Sequence, residues 1–315
     1  MVADVDEKSA RALAEAMNCQ FTTDQQKFLA TDVDAIIVAT SNDSHAPISL
    51  KALKLGRHVL CEKPLGLNPN ETADMVEASE KAGLTLKCGF NLRHHPGIKQ
   101  ARIWFDSGEI GEPLFIRIRY GIGGRIDYEK DWRMNKQESG GGQLMDQGIH
   151  ALDLARWFLG EFSESFGVVS TSFWKAPVED NAFCLLQTEK GKTASIHVSW
   201  TQWKNLFSLE IYGTEGYITV EGLGGSYGTE KAILGKRDFT KPFGEVVVQF
   251  RGEDSSWVDE WKEFTSAMKE GREPLGSARD GHEAVKLAYT IYKSADEKRA
   301  VRKERYPRSD RTQQA

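Results

Sequence analysis

The sequence predicts an α/β chain with a parallel sheet and helices over residues 1–91 and an α+β part with a large, mostly antiparallel sheet over residues 92–315. Before residue 91, short apolar runs alternate with helix-like segments, as in strand–helix–strand units. Between residues 165 and 250, strand-like runs are separated by Gly, Asn and Lys-Gly turns, as in an antiparallel sheet. A length of 315 residues also favours two domains. The last helices are expected to pack back on the first domain.

The first 91 residues alternate between two kinds of segment. Val33 to Ala39 is an almost unbroken apolar run rich in β-branched residues, which is typical of a strand covered on both faces. Gly56 and Gly83 follow helix-like segments at positions where helices commonly end. The elements predicted here are, in chain order, a helix over 6–17, a strand over 33–39, a helix over 44–55, a strand over 58–61, a helix over 71–82 and a strand over 84–88.

After residue 91 the hydrophobic pattern differs, because apolar and polar residues alternate along the strand-like runs. Trp200 and Trp203 lie in this region and are expected to pack on the face of the sheet. The basic stretch from residue 298 onward is expected to end in a solvated tail. The elements predicted here are, in chain order, a helix over 98–105, a strand over 114–120, a helix near 146–159, six strands between 165 and 250, and helices over 258–269 and 281–300.

The composition excludes several classes of protein. Hydrophobic residues make up 40% of the chain and charged residues 28%, which is ordinary for a soluble globular protein. No apolar run approaches the roughly 20 residues that span a bilayer, and the net charge of -5 gives no basic field for nucleic acid. The four cysteines have neither zinc-knuckle nor CxxC spacing, so no metal cage or redox pair is indicated. We therefore expect a cytoplasmic protein without a membrane or nucleic-acid partner.

The tripeptide Glu62-Lys63-Pro64 follows the strand predicted over 58–61. In an open parallel sheet the carboxyl ends of the strands form the ligand crevice, so a charged pair at this position has a functional interpretation. Pro64 restricts the backbone of Lys63 to extended conformations and raises the odds of a cis bond. The tripeptide alone is explained equally well as a solvated Glu-Lys pair at the start of a loop.

A second motif begins with Gly140-Gly141-Gly142 and continues to Asp153. Three consecutive glycines allow a positive φ or a close approach of the backbone to a neighbour. Asp146 and His150 are four residues apart and would share one face of a helix, and a carboxylate beside an imidazole suits proton abstraction near neutral pH. Three interpretations remain open here: helix capping with a core histidine, acid–base catalysis, and a metal site built on D-x-x-x-H-x-x-D.

In combination, these motifs resemble the glucose–fructose oxidoreductase, inositol dehydrogenase and rhizopine catabolism (Gfo/Idh/MocA) family. The resemblance depends on Lys63 in E-K-P and on G-G-G-x-L-x-D-x-G-x-H-x-x-D later in the chain, in this order. It extends over nearly the whole sequence. The supporting matches are Ala3 to Asp6, Asp32 to Ala35, Ala39 to His45, Gly89 to Arg93 and Asp131 to Arg133.

The resemblance implies a Rossmann-like first domain and an NAD(P)-dependent oxidoreductase that transfers a hydride between a nicotinamide cofactor and a sugar, polyol or related carbohydrate derivative. By motif position, His150 would take the proton from the substrate hydroxyl, Asp146 would orient or charge-balance His150, and Lys63 would polarise the reacting oxygen. The residues implied to bind the cofactor are Asp4, Thr40, Asn42, His45, Glu62, Lys63, Asn91, Trp132 and Arg133. The residues implied to contact the substrate are Lys63, Arg93, Asp146 and His150. No metal is implied, and a homodimer or homotetramer is expected from the resemblance alone.

One feature of the family is missing from the sequence. A dinucleotide-binding unit begins with a strand and G-x-G-x-x-G, and an acidic residue about 20 positions later contacts the adenosine ribose. Asp4 would be that acidic residue, so the first strand, the glycine turn and the first helix are absent. We expect either a sequence that starts late relative to the functional protein or a truncated chain that binds cofactor poorly. In both cases the run over 33–39 would have an unpaired edge.

Asp4 at the ribose position favours NAD over NADP, because a carboxylate repels a 2′-phosphate, and NADP is the alternative. Two other functions remain open. One is a non-catalytic carbohydrate-binding or scaffold relative that has lost cofactor binding. The other is an NAD-dependent glycosidase-type relative, which would oxidise, eliminate and re-reduce its substrate.

Overall fold

The computed structural model describes residues 1–240 and 244–303. The part of the predicted solvated tail after residue 303 lies outside the described residues. The helices are α1 Glu7–Ala16, α2 Gln25–Leu29, α3 Asn42–Lys54, α4 Pro69–Ala82, α5 Pro96–Asp106, α6 Lys136–Ser139, α7 Ile149–Leu159, α8 Ser256–Glu270 and α9 Ala278–Glu297. The strands are β1 Val2–Ala3, β2 Phe21–Thr22, β3 Ala35–Val38, β4 His58–Cys61, β5 Leu86–Cys88, β6 Pro113–Gly121, β7 Phe162–Ser170, β8 Asn181–Thr188, β9 Thr193–Ser199, β10 Leu206–Gly213, β11 Gly216–Glu221, β12 Glu230–Lys236, β13 Glu245–Phe250 and β14 Val301–Arg302.

The first part of the chain contains two small parallel sheets, as the alternation of strands and helices predicted. Strands β1 and β2 pair with each other, and β3, β4 and β5 form a second sheet in that order. Helix α4 ends at Gly83, whose φ of 63° is left-handed, as predicted from the sequence. Among the described residues, β3 pairs with β4 only, and its Ile37 is 53% exposed. The expected unpaired edge is therefore present in this structure.

The second part contains a nine-stranded sheet in the order β13-β12-β11-β10-β6-β9-β8-β7-β14. The pairing is antiparallel except between β6 and β9, which run parallel. The mostly antiparallel sheet is thus confirmed. Strand β12 was not predicted, because its sequence EKAILGK has no β-branched run and reads equally well as a helix. Its burial nevertheless alternates, since one face packs on helix α5.

Helix α9 joins the two parts. A Cβ on Gly281 of α9 would lie 2.9 Å from the Leu65 side chain and 3.0 Å from that of Cys88, so the helix packs closely against the end of β5. The other face of α9 packs on β7 of the large sheet and on α7. This packing brings the loop after β4 beside the start of α7, where the two sequence motifs lie.

Two further sequence expectations concern the surface. Trp200 is fully buried as expected, but Trp203 is 65% exposed, so the expectation that both pack on the sheet is wrong for Trp203. The reason is that β9 ends at Ser199, and the alternation of a strand does not continue beyond it. No helix in the described part of the chain combines the length and apolar character needed to cross a membrane.

Candidate active site

Lys63 lies directly after β4 and contacts the second motif. Its Nζ donates hydrogen bonds to Asp146 Oδ1 at 2.7 Å and to the Asp146 backbone carbonyl at 2.8 Å. Both side chains are 18% exposed, so the ion pair is largely removed from water. The Lys63–Pro64 peptide bond is cis, the isomer whose odds Pro64 raises. The two motifs, 83 residues apart, therefore meet at one charged contact.

Asp146 lies in a π-helical turn over Leu144–Gly148, and α7 continues from it with His150. The wider turn changes which residues share a face of the helix. Asp146 was expected to orient or charge-balance His150. Its carboxylate hydrogen-bonds Lys63, and the buried His150 Nδ1 has no hydrogen-bond partner among the described residues, so Asp146 acts on His150 through its charge, which raises the pKa of His150. The imidazole is held by packing instead, since the rings of Phe90 and Tyr120 meet it edge-on with centroids at 6.0 and 6.5 Å.

The electrostatics of the site favour a neutral imidazole beside a charged pair. Burial, together with the Lys63 ammonium, lowers the pKa of His150 well below its ordinary value of 6.5. Burial alone would raise the pKa of Asp146, but Lys63 and Arg133 outweigh it and lower that pKa. Near neutral pH, His150 is therefore neutral and able to accept a proton, while Asp146 is a carboxylate.

The three glycines approach neighbouring protein groups. A Cβ on Gly142 would lie 1.9 Å from the backbone oxygen of Glu179, and one on Gly141 would lie 2.3 Å from the hydroxyl of Tyr292. The Glu179 carboxylate accepts hydrogen bonds from the backbone N–H groups of Gly142 and Leu144, both at 3.0 Å. The glycines are therefore needed so that this loop can pack against Glu179 and so position the turn that carries Asp146.

The close approach at Gly142 gives a stability prediction. We expect Gly142→Ala to lower the free energy of unfolding by about 3 kcal/mol, because the added methyl must displace backbone. Chemical denaturation measures the loss, and Gly244→Ala is a matched control, since a Cβ there has open space. A Gly142→Ala variant whose stability is within about 0.5 kcal/mol of the parent would contradict the packing described here.

A cavity of about 260 Å³ opens beside the Lys63–Asp146 pair. It is lined by Lys63, Tyr120, Ile122, Gly124, Arg125, Tyr128, Arg133, Asp146, Gln147 and His150. Tyr120, Tyr128 and Gln147 were not predicted from the sequence as site residues. Gln147 could have been found, because it lies between Asp146 and His150 in the motif. The two tyrosines carry no sequence signal, since they lie in and after β6, outside both motifs.

Some of the residues implied to bind the cofactor have polar groups available for a ligand. Asp4, Thr40 and Glu62 follow strands β1, β3 and β4 on the edge where parallel strands end. Asp4 and Thr40 are exposed. Within the described residues, the one hydrogen bond of the Glu62 carboxylate is long, accepted from the backbone N–H of Lys63 at 3.3 Å. Burial raises the pKa of Glu62. A carboxylate and a hydroxyl at these positions fit the ribose hydroxyls and the amide of a nicotinamide nucleotide.

Other residues of that set are already engaged within the protein. Asn42 donates to the Ser139 carbonyl at 2.9 Å, and Asn91 donates to the Ser256 hydroxyl at 3.0 Å. His45 is fully buried, with its ring nitrogens 2.7 Å from the Pro64 carbonyl oxygen and 3.1 Å from that of Thr40. The polar groups of these three side chains are therefore at least partly occupied by contacts within the protein.

Arg93 does not line the cavity, contrary to its implied contact with substrate. Its guanidinium forms two hydrogen bonds with Asp153, at 2.6 and 2.8 Å, and lies 3.2 Å from Asp280. Asp153 therefore forms a buried ion pair with Arg93. In the described part of the chain, no group of three or more acidic, His or Cys side chains is arranged to hold a metal.

Arg133 and Trp132 lie on the other side of the site. The Arg133 Nε is 3.8 Å from Asp146 Oδ1, and its guanidinium lies over the Trp132 ring at 4.5 Å from the centroid. Of this pair, Arg133 lines the cavity. Arg133 therefore adds a second positive charge beside the Asp146 carboxylate.

Comparison with known proteins identifies the family. Residues 1–90 match the oxidoreductase family with an NAD-binding Rossmann fold, and residues 98–219 match the GFO/IDH/MocA C-terminal domain. A myo-inositol 2-dehydrogenase from Thermotoga maritima is 29% identical in an alignment of 315 positions that covers 96% of this chain and 90% of that protein.

Solved structures agree. GenD2 from gentamicin A biosynthesis, in complex with NAD, is 28% identical with a TM-score of 0.83, over 96% of this chain and 88% of that chain. A levoglucosan dehydrogenase in complex with NADH and levoglucosan shares the fold, with a TM-score of 0.88 at 24% identity over 96% of this chain and 89% of that chain. This chain belongs to the GFO/IDH/MocA family of NAD-binding oxidoreductases, as its two motifs predicted.

Proposed function

We propose that this protein is a dehydrogenase that oxidises a CH–OH group of a cyclic sugar or polyol with NAD, with Lys63, Asp146 and His150 as its catalytic residues. The observation that carries the proposal is that a largely buried ammonium group and a neutral, buried imidazole line the same cavity. Such a pair can stabilise negative charge on an alcohol oxygen and accept its proton.

Each of the three side chains has a separate task. His150 accepts the proton of the substrate hydroxyl, because its lowered pKa keeps the imidazole neutral. Lys63 donates a hydrogen bond to the same oxygen as negative charge develops on it. Asp146 holds the ammonium group of Lys63 in position through the 2.7 Å contact. NAD, when bound, supplies the hydride acceptor. Asp4, Thr40 and Glu62 would hold its ribose and nicotinamide groups.

The size of the cavity and the relatives support a compact cyclic substrate. A cavity of about 260 Å³ admits a single sugar ring with its hydroxyl groups. Its lining combines the rings of Tyr120 and Tyr128 with charged side chains, which suits a ring that has apolar C–H faces and a polar rim. The relatives that are similar over nearly the whole chain include dehydrogenases named for inositol and levoglucosan.

Activity with a panel of sugars tests the proposal. We expect the protein to form NADH, seen at 340 nm, with at least one of myo-inositol, levoglucosan, D-glucose and D-xylose. We also expect kcat/KM to be at least about 10-fold higher with NAD than with NADP, since Asp4 would repel a 2′-phosphate. Asp4→Ser should reduce that ratio. A protein that forms no NADH or NADPH with any of these compounds contradicts the proposal, and sugar cleavage without net NADH would favour the glycosidase-type alternative.

We further propose a cytoplasmic homodimer or homotetramer. All four cysteines are free, in agreement with a reducing compartment. The outer face of the large sheet exposes apolar side chains, among them Val168, Phe183 and Leu185, and an exposed apolar patch commonly marks an interface. The change from parallel to mostly antiparallel strands supports a division of the chain into domains over 1–91 and 92–315.

A further inference from the structure

Tyr128 is a buried side chain with an unused polar group in the substrate cavity. Only 3% of the residue is exposed, yet it lines the cavity beside Lys63 and Asp146. Its hydroxyl has no hydrogen-bond partner among the residues that the structure describes, whereas the neighbouring Tyr227 hydroxyl accepts a hydrogen bond from Gln147 at 2.9 Å. The hydroxyl is not among the side-chain atoms that are closed off from solvent without a partner, so it is open to a ligand or to water in the cavity.

The ring of Tyr128 is fixed on several sides. The rings of Trp174 and Trp200 meet it edge-on, with centroids at 5.5 and 5.3 Å, and the guanidinium of Arg125 lies over it at 5.5 Å. A Cβ on Gly124 would lie 2.7 Å from the Tyr128 ring and 2.5 Å from that of Trp174, so glycine is needed for this packing. The position of the hydroxyl is therefore set before any substrate binds.

The surroundings keep the hydroxyl protonated. Burial and the nearby Asp146 carboxylate raise the pKa of Tyr128. A protonated phenol both donates and accepts a hydrogen bond, which matches the properties of a sugar hydroxyl. Tyr128 lies in the connection between β6 and α6, whereas the ammonium of Lys63 comes from the end of β4 on the first domain. The two groups thus reach the cavity from different parts of the chain.

We propose that Tyr128 is a specificity-determining residue, whose hydroxyl binds a substrate hydroxyl other than the one that is oxidised. The inference rests on the proposed function, since it assumes a polyhydroxylated substrate in this cavity. Because this hydrogen bond is equally present in the ground state and the transition state, it contributes to KM and leaves kcat unchanged.

Kinetics of Tyr128→Phe test the inference, because this change removes the hydroxyl and keeps the ring packing. With the best substrate of the sugar panel, we expect KM to rise about 10-fold, the effect of one buried neutral hydrogen bond, at an unchanged kcat. Single-deoxy derivatives of that substrate identify the hydroxyl concerned. In the parent protein, one of these derivatives should have a KM about 10-fold higher than that of the full substrate. In Tyr128→Phe, the same derivative and the full substrate should have equal KM values.

Tyr217→Phe is the matched control, since it removes a tyrosine hydroxyl that contacts Glu245 on β13, outside the cavity, and should leave KM unchanged. The melting temperature of Tyr128→Phe should match that of the parent. If the parent is active and Tyr128→Phe has the KM of the parent, with kcat either unchanged or lowered, the inference about Tyr128 is wrong while the proposed function still holds. A parent that oxidises no sugar would overturn the proposed function and this inference with it.

Discussion

His150→Asn is expected to lower kcat by about 1,000-fold, since a positioned general base contributes roughly 10²- to 10⁴-fold. The imidazole is 95% buried and neutral, and asparagine cannot accept the proton in its place. Initial rates of NADH formation at saturating sugar measure the loss. His197→Asn is the control, because His197 stacks on Phe183 on the outer face of the large sheet and should have no effect on turnover.

The pH dependence of the parent protein follows from the same residue. Protonated His150 cannot accept a proton, so kcat/KM is lost as the pH falls through the pKa of His150. Burial lowers that pKa below 6.5, so activity should still be at its plateau at pH 6.5 and decline only at lower pH. A variant His150→Asn with turnover within threefold of the parent, or a parent whose activity already declines above pH 6.5, would contradict this role.

Lys63→Met is expected to lower kcat by about 10²- to 10³-fold, the effect of removing one preorganised donor to a developing oxyanion. The change also removes a positive charge that lowers the pKa of His150. The residual activity should therefore decline at a higher pH than that of the parent, closer to the ordinary histidine value of 6.5. Initial rates between about pH 4.5 and 8 measure both effects.

Two variants show whether these effects are specific to Lys63. Lys63→Arg keeps the positive charge beside Asp146 and should retain the pH profile of the parent at reduced kcat, because the guanidinium differs in shape. Lys54→Met removes a lysine at the end of α3, outside the cavity, and should leave kcat unchanged. Turnover within threefold of the parent in Lys63→Met, with an unshifted pH profile, would exclude the role proposed for this ammonium group.

The sequence predicted most of the fold because its periodicities are local. The apolar run of β3, the Gly83 helix end and the alternation along β6 each depend on neighbouring residues only. Strand β12 was missed because its alternation becomes visible only once α5 covers one of its faces. Trp203 was misplaced because the end of β9 at Ser199 is set by tertiary packing.

For the candidate site, the sequence predicted the catalytic candidates but not the contacts that their side chains make. The two motifs identified Lys63, Asp146 and His150, which all line the cavity. The motifs did not reveal that Asp146 pairs with Lys63 instead of His150, since a π-helical turn cannot be read from spacing. Nor did they reveal that Arg93 forms an ion pair with Asp153, or that the ring nitrogens of His45 contact two backbone carbonyl groups.

The sequence by itself determined most of the order of elements, the family and the identity of three catalytic candidates, because these depend on residue types at fixed spacing. The tertiary structure alone decided which side chains are free to meet a ligand. Tyr128 is the clearest example, since Trp174 and Trp200 pack against its ring and the residue lines the cavity. The physical reason is that burial, and with it the pKa and the need for a hydrogen-bond partner, depends on residues that are distant along the chain.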